Sequence, residues 1–160
     1  MRVSTRSRYS LRLMMEIARF SDEDVPVGLQ DVATWTGLSR RYLEQLVIPL
    51  RGAGLLRAKP GRKGGYSLNR DPASIPLGEI LTAASGPFTL VECTDDAGTC
   101  KRSGRCECRL LWVLLTRRIR EVLDEYSLAD LVDPAWRAAV SARIEKPERR
   151  RSTRREDGKQ

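Results

Sequence analysis

The sequence predicts a mainly α-helical protein with one short β-hairpin. Three observations predict this fold: residues 29–50 have the spacing of two short crossed helices, a basic glycine-rich hairpin follows them, and a heptad-like apolar stripe lies near the C-terminal end. This order of elements is typical of a winged helix-turn-helix DNA-binding domain, followed here by a cysteine-bearing loop and a long C-terminal dimerisation helix.

The first two predicted elements are a core helix and the helix-turn-helix. Residues 6–20 carry apolar side chains at helical spacing and predict the first helix. Within 29–50, Ala33 leaves room where two helices cross, Gly37 permits a positive φ at the turn, and Ser39 stands where the second helix needs an N-cap. The first turns of this recognition helix would then present to the major groove Ser39, Arg40, Arg41, Tyr42, Glu44 and Gln45.

The same segment allows a second interpretation and contains one irregularity. An ordinary helical hairpin with solvated arginines would have similar spacing, although it would not explain the hairpin that follows. Pro49 lies deep in the recognition helix and removes one backbone hydrogen bond. We therefore expect a bend near residues 45–47 or an early end of this helix.

The hairpin behind the recognition helix predicts a wing. Two strand candidates, residues 55–58 and 66–69, flank a turn rich in proline, glycine and basic residues. The glycines would let the backbone approach phosphates, while Lys59, Arg62 and Lys63 supply positive charge. We divide the chain into a DNA-binding domain at 1–86, a cysteine loop at 87–108, a helical region at 107–144 and a disordered basic tail at 145–160.

The distribution of charge supports a nucleic-acid partner. The chain has 29 Lys and Arg against 21 Asp and Glu, a formal net charge of +8. Most of this excess lies in the recognition helix and wing and in the C-terminal tail, where the arginine runs could add nonspecific DNA affinity. We find no stretch of about 20 apolar residues and no signal peptide, and therefore expect a cytoplasmic protein without a membrane partner.

The loop at 87–108 holds all four cysteines of the chain within sixteen residues. They are Cys93, Cys100, Cys106 and Cys108. Clustered thiols in a loop rich in glycine and charged residues are typical of an iron–sulfur cluster site, while a thiol/disulfide switch and a zinc site remain alternatives. The chain has no histidine, so imidazole cannot complete a metal site. No nucleophile with a nearby base and no phosphate loop is recognisable, which argues against an enzyme.

The C-terminal region predicts the dimer. A helix from about 107 to 126 has an apolar stripe at steps of three and four residues, formed by Trp112, Leu115, Ile119, Val122 and Tyr126. Such a stripe favours a partner helix, and a two-fold homodimer would place two wings on a palindromic operator in double-stranded DNA. The alternative is that the helix packs on its own domain. Residues 128–144 would lie beside it.

Over residues 1 to about 132 the chain resembles the Rrf-type winged-helix transcriptional regulators, whose members include IscR-like, NsrR-like and CymR-like proteins. The resemblance lies in MRVSTRSRYSLRLMMEIA, LSRRYLEQL, GLLRAKPGRKGGYSL and DPASIPLGEI, and in three cysteines ahead of a long helix. It implies a homodimeric repressor or activator in which Cys93, Cys100 and Cys106 hold an iron–sulfur cluster that sets DNA affinity. It also implies base readout by Glu44 and minor-groove contacts from Lys59 to Lys63.

The chain departs from these relatives at two positions. IscR-like proteins supply a histidine ligand shortly after the third cysteine, where this chain has Cys108 and Arg109; NsrR-like proteins supply an aspartate from the first helix, where it has Arg8. Cys108 is therefore our candidate fourth ligand, with a small thiol, water or an acidic side chain of the other subunit as alternatives. Both 2Fe–2S and 4Fe–4S clusters remain open. A cluster-free regulator controlled by its thiols or by a partner protein, as among CymR-like members, is the second hypothesis.

Overall fold

A computed structural model describes residues 3–20, 25–94 and 96–145. These residues form a mainly helical domain with one small antiparallel sheet, which confirms the predicted fold class. The elements are α1 (Thr5–Phe20), α2 (Leu29–Thr36), α3 (Arg40–Gly52), β1 (Leu56–Lys59), β2 (Gly65–Leu68), α4 (Leu77–Ser85), α5 (Glu107–Asp124), α6 (Leu128–Val132) and α7 (Pro134–Glu145). The predicted tail lies outside the described residues, except for Glu145, which ends α7.

The core forms around α1. Leu13, Met14 and Ile17 lie on one face of this helix and are completely buried against α3, α4 and α6. Leu128 of α6 belongs to the same core and is also completely buried. Each fully buried side chain of this size contributes roughly 1.5–3 kcal/mol relative to leaving it exposed. The position of α3 is therefore set by hydrophobic packing that does not involve its exposed face.

The wing is a two-stranded ribbon anchored at its base by a third segment. β1 and β2 pair antiparallel, from Leu56 opposite Leu68 to Lys59 opposite Gly65, within one residue of the predicted strands. Val27 exchanges two backbone hydrogen bonds of 2.9 Å with Tyr66, a contact that our sequence analysis missed. A Cβ atom at Gly65 would lie 2.3 Å from the carbonyl oxygen of Val27, so this close approach requires glycine.

The recognition helix does not end early. α3 continues through Pro49 to Gly52, so that part of our expectation is wrong. Proline has no N–H, so the carbonyl of Gln45, four residues earlier, lacks its usual helical donor. The Arg6 side chain of α1 donates a long hydrogen bond, 3.4 Å, to this carbonyl oxygen. Packing of Val47 and Leu50 in the core also favours continuation of the helix.

The segments after the wing return the chain to the core. α4 ends at Ser85, with Gly86 as its C-cap, and the loop that follows contains three single turns of 3₁₀ helix at 92–94, 97–99 and 103–105. α5 ends two residues before the predicted boundary. Among the residues that the structure describes, no helix has the length and apolar character needed to cross a membrane.

Candidate nucleic-acid interface and cysteine loop

The turn between α2 and α3 has the predicted helix-turn-helix geometry. Gly37 adopts the left-handed conformation, with φ of 71°, and its N–H donates to the Ala33 carbonyl at 2.9 Å. Ser39 caps α3, because its hydroxyl oxygen accepts a hydrogen bond of 3.2 Å from the backbone N–H of Tyr42. These contacts fix where the recognition helix begins and therefore which of its side chains face outward.

The outward face of α3 is mostly polar and charged. Ser39, Arg41 and Gln45 are exposed, and so are Arg40 and Glu44, whose Nε and Oε1 atoms form an ion pair at 3.1 Å. An exposed pair four residues apart on a helix contributes only about 0.3–0.5 kcal/mol, so DNA groups can replace it at little cost. Tyr42 differs from the others: it is half-buried and its ring packs edge-on against Tyr9, with the centroids 5.9 Å apart.

The recognition helix and the wing enclose a groove of about 810 Å³. It brings together five of the predicted DNA-binding residues, namely Arg40, Glu44, Lys59, Arg62 and Lys63. Ser39, Arg41, Tyr42 and Gln45 do not line it. Three wing glycines also line the groove, so the backbone there is open to close approach. The basic side chains of the wing can therefore receive a phosphate backbone at one side of this groove.

α2 also contributes to this groove, which the sequence did not predict. Gln30 and Asp31, in the first turn of α2, line it opposite the wing. The pairing of Val27 with Tyr66 brings this turn to the base of the wing. No local pattern reveals the contact, because it depends on pairing between segments about forty residues apart.

The four thiols are free and lie at different places along the loop. Cys93 is in the first 3₁₀ turn, Cys100 follows the second, Cys106 directly precedes α5, and Cys108 is in the first turn of α5. Cys108 is exposed and the other three are half-buried. Within residues 3–20, 25–94 and 96–145, no group of three Cys, Asp or Glu side chains is close enough together to hold a metal ion. The predicted ligands therefore have suitable donor chemistry but do not converge in this arrangement.

The first limb of the loop, residues 88–94, is attached to α5 by two arginine side chains. Arg109 Nε donates to the Cys93 carbonyl at 2.8 Å, and Arg120 Nε donates to the Phe88 carbonyl at 2.9 Å. The two arginines are eleven residues apart, almost exactly three helical turns, and so lie on one face of α5. Thr116 lies between them and is buried. The backbone around Cys93 is thus positioned directly by α5.

The predicted apolar stripe of α5 divides between two faces. Trp112, Ile119 and Tyr126 are half-buried, and the Tyr126 ring packs edge-on against Trp136 of α7. Leu115 and Val122 are exposed. Leu111 is exposed on the same side, four residues before Leu115, and sequence analysis left it out of the stripe. We call Leu111, Leu115 and Val122 the apolar seam.

Comparison with known proteins places the chain among bacterial regulators. Residues 3–134 match the Rrf2 family model, described as an iron-dependent transcriptional regulator. The CymR regulator of Bacillus subtilis is 40% identical over 131 residues, which cover 82% of this chain and 89% of that protein. The IscR regulator of an Enterobacter strain is 34% identical over 157 residues, covering 98% of this chain and 95% of that one.

Solved structures agree with the sequence comparison. The B. subtilis CymR structure, described as that of the global cysteine regulator, superposes with a TM-score of 0.67 at 38% identity and covers 82% of this chain and 96% of that one. The structure of T. potens IscR gives a TM-score of 0.69 at 33% identity, covering 86% and 90% of the two chains.

Proposed function

Because this chain belongs to the Rrf2 family of transcriptional regulators, we propose that it binds a palindromic operator as a homodimer and that its cysteine loop controls this binding. The observation that carries the proposal is the groove between α3 and the wing, where predicted recognition and phosphate-binding side chains meet. In this proposal the loop acts through α5. Its first limb is attached to this helix, and the apolar seam of the same helix joins the two subunits.

The residues predicted to form the interface have different roles in this proposal. Lys59, Arg62 and Lys63 contact phosphates and the minor groove at the wing, and Arg40 and Arg41 contact phosphates beside the recognition helix. Glu44 and Gln45 contact base edges in the major groove, where a carboxylate accepts from cytosine and an amide pairs with adenine. Ser39 and Tyr42 fix the start of the helix and its packing.

Variants of the wing and the recognition helix test this division. We expect Arg62→Ala to weaken binding to all sequences and to lower the dependence of affinity on salt, because it removes one phosphate contact.

Glu44→Ala should mainly relax sequence preference, by roughly 1–3 kcal/mol of discrimination at one base pair. Operator selection from random DNA followed by fluorescence anisotropy at several salt concentrations measures both effects.

The matched control is Arg143→Ala, at an exposed arginine in the last turn of α7. It removes the same charge from the chain at a position outside the groove. Equal losses for Arg62→Ala and Arg143→Ala would mean that only net charge matters and would contradict the assigned interface.

We further propose that Cys93, Cys100 and Cys106 hold an iron–sulfur cluster, 2Fe–2S or 4Fe–4S, with Cys108 as candidate fourth ligand. A bound cluster would supply a centre whose oxidation, loss or assembly changes with conditions. The protein's own part is to present the thiols and to fix Cys93 against α5 through Arg109. The supporting facts are four free thiols in one loop and the description of the matched family as iron-dependent.

Anaerobic purification with iron and sulfide analysis tests this proposal. We expect stoichiometric iron and sulfide in the intact protein and their loss in Cys93→Ala. Cys108→Ala distinguishes whether Cys108 is a ligand, because an unchanged iron content assigns the fourth position elsewhere. Intact protein without iron or sulfide, even when purified without air, would overturn the cluster.

The second candidate is a cluster-free regulator of the same fold, controlled by its thiols or by a partner protein. It is favoured by the thiols' lack of convergence within the described residues. The similarity to a relative described as a global cysteine regulator also favours it. In this case oxidation of metal-free protein alone should change DNA affinity, and Cys93→Ala should abolish the change.

A further inference from the structure

The recognition helix carries one large apolar side chain on its outward face. Ile48 lies one turn after Glu44 and is 70% exposed, whereas Val47 and Leu50 beside it are buried in the core. Single exposed apolar side chains are common on protein surfaces. The exposure of Ile48 alone therefore indicates no role. Its position does, because Ile48 lies on the face of α3 that carries the predicted DNA-binding residues.

Ile48 continues the row of side chains that begins with Arg40 and Glu44. Each step of four residues along an α-helix turns the side chain about 40° further around the axis. Arg40 and Glu44 line the groove beside the wing and Ile48 does not. Ile48 therefore lies on the same outward side of α3 as Arg41 and Gln45, and in the proposed complex it faces the part of the major groove beyond the wing.

The local structure holds Ile48 in this orientation. Leu46, Val47 and Leu50 are buried and fix the rotation of α3, and the Arg6 side chain reaches the Gln45 carbonyl from α1. The side chain of Ile48 is branched at Cβ and has little rotamer freedom in a helix, so little entropy is lost when it is packed. It can neither donate nor accept a hydrogen bond.

We propose that Ile48 recognises the C5-methyl group of a thymine in the operator. This methyl is the apolar group that a base pair displays in the major groove, and apolar side chains recognise it by contact. The inference rests on the proposed function and adds to it a base preference that the charged residues of α3 do not supply. It assigns a specificity-determining role to a residue that our sequence analysis did not select.

Replacing thymine with deoxyuridine removes this methyl and leaves the hydrogen-bonding edges unchanged. Each thymine of an operator selected with the wild-type protein is replaced in turn, symmetrically in both half-sites. We expect one replacement to lower wild-type affinity about fourfold per half-site, the effect of losing one buried methyl group. Ile48→Ala should lose a similar amount on the thymine operator and should not respond to that replacement.

Two further variants serve as controls. Ile48→Val keeps a branched apolar contact and should retain most of the response to deoxyuridine. Ile144→Ala removes the same side chain from α7, where Ile144 is 75% exposed, and should behave as wild type. An Ile48→Ala protein that responds to every deoxyuridine as the wild type does would overturn the inference. A wild-type protein that selects no operator would instead overturn the proposed function on which it rests.

Discussion

At the scale of single residues, Ser127 and Asp130 form a reciprocal capping box at the start of α6. The Ser127 backbone N–H and hydroxyl both donate to Asp130 Oδ2 at 2.7 Å, and the Asp130 N–H donates to Ser127 Oγ at 3.3 Å. These hydrogen bonds, chiefly the one from the backbone, lower the pKa of the Asp130 carboxyl below its ordinary value. The box matters for the fold because α6 places Leu128 in the core.

This lowered pKa predicts how stability depends on pH. A carboxyl whose pKa is lower in the folded state stabilises the fold above its unfolded pKa of about 3.8 and loses this effect as pH falls through the folded value. We expect Asp130→Asn to be less stable than wild type at pH 7 in urea unfolding, with a difference that narrows toward pH 3. An equal difference at both values would contradict the contribution of the ionised carboxylate.

Residue patterns predicted the helix-turn-helix well because its geometry is local. Gly37 and Ser39 act through atoms a few residues away, so their roles follow from residue type and spacing alone.

Pro49 shows where local patterns are not sufficient to predict the structure. Its missing N–H was correctly identified, but the helix continues because buried neighbours favour continuation and Arg6 contacts the Gln45 carbonyl. The residue that compensates is about forty positions away.

At the scale of elements, the cysteine loop is built on α5. Its path was not predictable, because it depends on where the side chains of Arg109 and Arg120 reach back to backbone carbonyls. The same difficulty applies to α5 itself, whose periodicity predicted a helix correctly but could not assign its apolar residues to an inner or an outer face. That assignment depends on the packing of α4 and of the loop against α5.

The contact between Arg109 and Cys93 predicts a local effect that does not depend on what the thiols bind. Arg109→Ala should loosen the turn at 92–94, because the Cys93 carbonyl loses a charge-assisted hydrogen bond. The Thr94 and Asp96 amides donate to Val91 and Glu92 carbonyls within this turn, so their hydrogen exchange reports its opening. We expect faster exchange of both amides in the metal-free protein.

Arg105→Ala is the matched control for this experiment, since Arg105 is an exposed arginine in the same loop. In Arg105→Ala, the Thr94 and Asp96 amides should exchange hydrogen at the wild-type rate. Unchanged exchange in Arg109→Ala would mean that the first limb is held by other contacts. In Arg109→Lys the exchange rates of both amides should lie between those of the wild type and of Arg109→Ala, because lysine keeps the charge without the planar guanidinium.

At the scale of the whole molecule, α5 connects the cysteine loop with the surface that we propose joins two subunits. Its inner face holds the first limb of the cysteine loop, and its outer face carries the apolar seam of Leu111, Leu115 and Val122. These residues follow one another at steps of four and seven, the spacing that lets two helices pack along their length. A change in the loop can therefore alter the spacing of two recognition helices if the seam joins two copies of the chain.

Charged substitutions in the seam test this arrangement. We expect Leu111→Glu combined with Leu115→Glu to produce a monomer in sedimentation velocity, because carboxylates in an apolar interface cannot be buried without pairing. The monomer should bind a half-site as tightly as a wild-type subunit does and lose most of the affinity for the full palindrome, since only a dimer engages both half-sites at once. Ile144→Glu adds one negative charge on exposed α7 and should remain dimeric. A double variant that stays dimeric and binds the palindrome normally would place the dimer interface on another surface and remove the physical link between the cysteine loop and operator spacing.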